Sequence, residues 1–139
     1  MATPVYGKQF IRFAETGLVE DTSSLSQFTL VKTSGATEPP TLALMTGPGE
    51  AFGVLQQDVP AVDADKATTL QRLGTVATSG LLLVAADEAN MQAQGDALLV
   101  DAQGRSSSTG GAVTVSATTP IVRQQVQIGG VAHALVSFN

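Results

Sequence analysis

Short apolar runs broken by glycine, proline and small polar clusters make up most of this chain, and most of the runs have the length of a strand. Gln27 to Val31, Thr41 to Met45, Ala51 to Gln56, Thr75 to Thr78, Leu81 to Ala85, Ala97 to Val100 and Ala112 to Ala117 all read this way. Pro39-Pro40 stops any helix and favours extended backbone, and Gly47-Pro48-Gly49 forces a turn. Gly53 inside its run suggests a bulge, and Thr78-Ser79-Gly80 reads as a turn between two strands. The clearest hairpin is Ile121 to Ile128, then Gly129-Gly130, then Val131 to Phe138. Two glycines can both take the positive φ of a primed turn, which would set Ile128 opposite Val131 and Val126 opposite His133. Helical character is confined to a short stretch over Ala67 to Leu73, N-capped from Asp63 to Lys66, and a single turn within Asp87 to Gln92. Arg105 to Gly111, rich in Ser, Thr and Gly, reads as a mobile surface loop. The expectation is a mostly β chain: a small single-domain β-sandwich or β-barrel with at most short helices and an extended N-terminal arm.

Residues 1–37 read differently from residues 38–139, the β-rich domain proper. Tyr6, Phe10, Phe13 and Phe28 concentrate aromatic area near the N-terminus, while the polar-apolar alternation of Gln9 to Phe13 is only rough. Such a segment suits an arm that orders on a partner through Tyr6, Phe10, Ile11 and Phe13; a first strand of the core sheet is the competing reading.

Composition then narrows the function. The chain has 139 residues, enough for one domain with a core, and that core must be aliphatic because there is no Trp and only one Tyr. Charged residues are 14% of the sequence, well under the roughly 25% of an average soluble protein. Low charge suits surfaces that neighbours will cover. The net charge is −5, and the seven cations, from Lys8 to Arg123, are scattered, so no basic stripe could follow a phosphate backbone. No direct nucleic-acid partner is expected. Without cysteine there are neither disulfides nor thiolate metal sites, which fits assembly in a reducing cytoplasm. No signal-like N-terminus and no run near the roughly 20 apolar residues of a membrane span is visible, so a soluble protein with no membrane partner is expected.

Candidate chemistry is sparse. His133 is the single histidine, set between two alanines in the last strand, and reads as a packed or surface strand residue. One histidine without cysteine does not build an ordinary zinc site. Asp58, Asp63 and Asp65 lack the spacing of a calcium loop, and solvated loop carboxylates or helix caps account for them and for the pair Asp87-Glu88. No Gly-x-Ser-x-Gly elbow and no Gly-Lys-Ser/Thr phosphate loop is present. No catalytic residue, no metal and no cofactor is expected.

The segment Ala93 to Arg105 carries the most specific signal. Gly95-Asp96 turns the chain, Leu98, Leu99 and Val100 form an apolar strand, and Asp101, Ala102, Gln103, Gly104 and Arg105 turn it again. An Asp101–Arg105 ion pair across that turn is possible, with two solvated side chains the default. This punctuation, together with Met45 to Gln56, resembles the capsid cement, or head decoration, proteins of tailed bacteriophages. The likeness runs mainly from Phe52 to Arg105; the Gly129-Gly130 hairpin and the N-terminal segment depart from it. The resemblance implies a non-enzymatic protein, made in the host cytoplasm, that sits on the outer surface of a mature head. There it would stabilise contacts between major capsid protein subunits, as a homotrimer at local three-fold positions. The alternative is a small β-rich fibre, tail or cell-surface adhesion module binding glycan or another protein, and scarce aromatic platforms weigh mildly against it. A small hydrolase or isomerase is disfavoured by the lone histidine.

Overall fold

The structure, a computed structural model, describes residues 9–19, 24–33, 39–62 and 72–138. Ten strands follow in chain order: β1 (Phe10–Val19), β2 (Leu30–Thr33), β3 (Thr41–Leu44), β4 (Gly49–Glu50), β5 (Gly53–Leu55), β6 (Arg72–Ala85), β7 (Leu99–Val100), β8 (Gly111–Thr114), β9 (Ile121–Ile128) and β10 (Val131–Phe138). The described chain is mostly β, in two sheets, and its helical structure is a single 3-10 turn at Glu88–Asn90.

The 14-residue β6 is the spine. Along one edge it pairs with β1 from Arg72 to Leu81; along the other it pairs with β5 at Val76 and Ala77, then with β10 from Gly80 to Ala85. Because β1 also meets β3, and β3 leads through β2 and β5 back to β6, five strands close into a small ring. Val19, Leu25, Val31, Leu42, Leu55, Val59 and Val76 form the apolar cluster associated with it. Gly17 and Gly74 face each other across β1 and β6, and a Cβ on Gly17 would lie 2.4 Å from Leu42 Cγ. Only hydrogen fits there.

Beyond the ring, β6, β10 and β9 continue the large sheet, and the three-stranded sheet β4-β8-β7 packs over it. Leu82, Val84, Leu98, Val100, Val113, Val122, Val136 and Phe138 fill the space between, all nearly or fully excluded from water. Burying each such side chain contributes about 1.5–3 kcal/mol, so this aliphatic core is the main source of stability.

Several sequence expectations change. Thr75 to Thr78 and Leu81 to Ala85 are one strand, and Thr78-Ser79-Gly80 lies inside it instead of turning. Gly80 makes this possible: its φ is +127°, and a Cβ there would sit 2.1 Å from Phe10 O. Gly53 is tight for a different reason than a bulge, since its Cβ would meet Ala77 O at 2.2 Å. The helix expected over Ala67 to Leu73 falls outside the described residues except for Arg72 and Leu73, which open β6. Arg105 to Gly111 is anchored, not a free surface loop. Ser106 and Ser107 are fully buried, Ser106 N–H donates to Ala85 O at 2.8 Å, and Ser107 Oγ donates to Asp87 Oδ2 at 3.2 Å. Of the two readings of the N-terminal segment, residues 10–19 take that of a first strand of the sheet: they form β1, paired to β6 from Phe10 to Val19, while residues 1–8 lie outside the described residues.

The C-terminal hairpin matches its sequence pattern. Gly129 and Gly130 have φ of 56° and 80°, and the register sets Val131 against Ile128 and His133 against Val126.

Candidate interaction surface

The N-terminal half of β1 is unusual for a strand attached to a core sheet. From Phe10 to Thr16 every residue is exposed, on both faces of the strand. Phe, Ile and Thr favour extended backbone, which accounts for the strand, but nothing within the described residues covers them. Phe10 is 65% exposed, Phe13 63% and Ile11 41%, with Leu73 of β6 at 48%. Isolated exposed hydrophobics are ordinary; three within four residues of one strand are a patch. The β1–β6 register slips on both sides of Phe13, so two bulges twist this ribbon. Tyr6, grouped with these residues on sequence grounds, lies outside the described residues.

Beside the ribbon runs a groove of about 840 Å³. Arg12, Phe13, Ala14 and Glu15 of β1 line one side; Lys32, Glu50, Phe52 and Ser116 are among the residues lining the rest. Glu50 is held in place. It accepts hydrogen bonds from Thr114 Oγ1 at 2.7 Å and from Ser116 N–H. The Thr114 bond, helped by the Ser116 and Ala117 amides and opposed by partial desolvation, lowers the Glu50 pKa below its usual value of 4.5. The same carboxylate steadies a tight turn in which Ser116 and Ala117, neither a glycine, take φ of 50° and 63°. Arg12, Glu15 and Lys32 make no ion pair among the described residues.

The turns of Ala93 to Arg105 are anchors of the fold. Asp101 Oδ1 accepts from the Gln103 and Arg105 amides, both at 2.9 Å, while Oδ2 pairs with Arg105 Nε at 2.9 Å. The ion pair therefore forms, against the solvated default. Gly104, at φ 73°, accepts at its carbonyl oxygen from Leu30 N–H at 2.8 Å, tying this turn to β2. Gly95 has φ of 94°, and Asp96 Oδ2 caps the Ala93 amide at 2.9 Å. Gly129 and Gly130 stand with open space around them at the far hairpin tip. The structure thus separates the Gly-Asp and Gly-Arg turns, which hold the fold, from the exposed β1 side chains.

His133, which the sequence leaves as packed or surface, is packed. It is 7% exposed, meets Phe28 edge-on at 5.5 Å, and has Nδ1 2.9 Å from Val131 O. Phe28 is itself strained at φ 68°, held by Phe28 N–H to Leu55 O and Ala85 N–H to Phe28 O, at 2.7 and 2.8 Å. Asp58 caps the Gln27 amide at 2.8 Å, and Asp63 and Asp65 lie outside the described residues. Asp87 accepts from Asn90, Ser107 and the Ala89 amide, Asn90 being the largest of the causes that lower its pKa. Among the described residues no group of three His, Cys, Asp or Glu side chains is placed to hold a metal ion, and no helix is long and apolar enough to cross a membrane.

One structural residue had no sequence signal. Gln92, 2% exposed, donates to Ala97 O at 2.7 Å and accepts from Leu99 N–H and Ser106 Oγ, both at 2.9 Å. A lone glutamine in a polar stretch gives no hint of that. No protein-family model matches the chain, and no curated protein matches it either.

Proposed function

We propose that this chain is a non-enzymatic structural protein that docks on the outer surface of a mature phage head and stabilises contacts between major capsid subunits. The observation that supports it is the β1 patch: Phe10, Ile11 and Phe13 stand in water on a chain of low charge. Apolar side chains in that density favour being covered, each contributing about 1.5–3 kcal/mol when fully buried. The Gly95-Asp96 and Asp101-to-Arg105 turns, which carry the resemblance, are anchored by their own carboxylates and belong to the fold that presents the patch. A cement protein needs little affinity per contact, because many copies act on one lattice and binding to the mature lattice alone stabilises it by mass action.

The test is heat or osmotic release of DNA from heads with and without the protein. Decorated heads retain DNA under harsher conditions. Equal resistance of the two preparations removes the proposal. Recovery with tails or cell walls in place of heads would favour the adhesion reading.

A further inference from the structure

The outer edge of β1 points to a contact between two copies of this chain, and this inference stands independently of the capsid reading. Leu18 N–H donates to Pro40 O at 2.8 Å on that edge, where β3 begins its short parallel pairing at Leu18 and Val19. Ahead of Leu18 the edge has no strand partner among the described residues. Backbone groups alternate in direction along a strand, so Thr16 and Ala14, like Leu18, turn their N–H and C=O outward. An open row of donors and acceptors is complemented by another extended chain, and its side chains on one face would enter the adjoining groove.

We propose that the occupant is the β1 strand of a second copy, lying antiparallel about a two-fold axis at Ala14. The same edge meeting itself is an isologous contact and closes as a dimer. Ala14 faces its own copy, so the closest approach falls on a small side chain, and Glu15 is not set opposite Glu15. The charges also agree. The incoming strand brings an Arg12 and a Glu15, neither of them ion-paired among the described residues, to a groove that presents a fixed Glu50 and an unpaired Lys32.

The experiment uses the full chain in two measurements. Velocity sedimentation over a wide concentration range should show a monomer–dimer equilibrium, weakened at least ten-fold in Ala14→Lys, which sets two cations against each other at the axis. The second measurement uses the absence of cysteine from the natural sequence. Ala14→Cys places two thiols across a directly opposed pair, whose Cα atoms are about 5.5 Å apart, within disulfide reach. Under mild oxidant it should cross-link at least ten-fold faster than Leu73→Cys, an exposed site on the neighbouring strand. A wild-type chain that stays monomeric throughout, a dimer indifferent to Ala14→Lys, or equal cross-linking of the two cysteine variants would each overturn the pairing. Head binding measured on the same variants reports on the capsid proposal separately.

Discussion

Replacing Asp101 separates what its carboxylate does for the turn from what it does for Arg105. The side chain is 12% exposed and accepts three hydrogen bonds: two from backbone amides, at Gln103 and Arg105, and one from the Arg105 guanidinium. The guanidinium partner is 38% exposed, so the ion pair itself is screened and contributes about 0–1 kcal/mol. The amide bonds are the larger part, because hydrogen bonds to a charged acceptor contribute about 1.5–3 kcal/mol each before water replaces any of them. Asp101→Ala removes all three and leaves two turn amides to be rehydrated; the expected loss is about 2–4 kcal/mol. Asp101→Asn keeps an oxygen where Oδ1 now lies but turns an NH2 donor toward Arg105 Nε–H, so it loses the charge and that one screened bond and about 1 kcal/mol is expected. Urea unfolding followed by circular dichroism measures both, with the midpoint moving and the slope constant. If Asn is as costly as Ala, the ion pair and not the turn is the anchor. If Ala costs under about 0.5 kcal/mol, the whole segment is decoration on a fold held elsewhere.

Other variants test other parts of the account. Gly53→Ala drives a Cβ to 2.2 Å from Ala77 O, a backbone atom that cannot swing away, and should cost more than the about 1–3 kcal/mol of ordinary overpacking in the same unfolding assay. Ala117→Gly relieves a left-handed residue at φ 63° and should raise stability by about 1 kcal/mol. Glu50 has a folded pKa below its unfolded one, so it contributes stability above about pH 4.5 that is lost as pH falls through the folded value. Glu50→Gln should flatten stability across that acid range, read from unfolding midpoints against pH.

Much of this architecture is legible in the sequence wherever a local rule decides it. The Gly129-Gly130 turn is such a place, because two positive-φ positions between β-favouring runs leave one hairpin register. The continuity of β6 is not legible, because a glycine preceded by Thr and Ser, as in Thr78-Ser79-Gly80, reads as a turn by local rules. Here Gly80 lies against Phe10 O, a contact 70 positions away that no local pattern contains. The anchoring of Ser106 and Ser107 is likewise non-local: it depends on Ala85, Asp87 and Gln92. The candidate surface falls between these cases. Phe10, Ile11 and Phe13 stand out in the sequence as apolar residues without a clean strand period. That weak period has a physical source in the two bulges and in the exposure of both faces, which leaves no single buried face to impose alternation.

The most direct test of the central claim is binding to purified, expanded heads that lack the protein, comparing wild type with Phe10→Ser/Phe13→Ser. Both rings are more than half exposed in the free chain, so their loss should leave the unfolding midpoint within about 0.5 kcal/mol of wild type. The account predicts that wild-type protein saturates the heads and delays heat-induced DNA release, while the double variant, folded and equally stable, shows at least ten-fold lower occupancy and no protection. Unchanged occupancy of the double variant, or wild-type protein that does not sediment with heads at all, would contradict it.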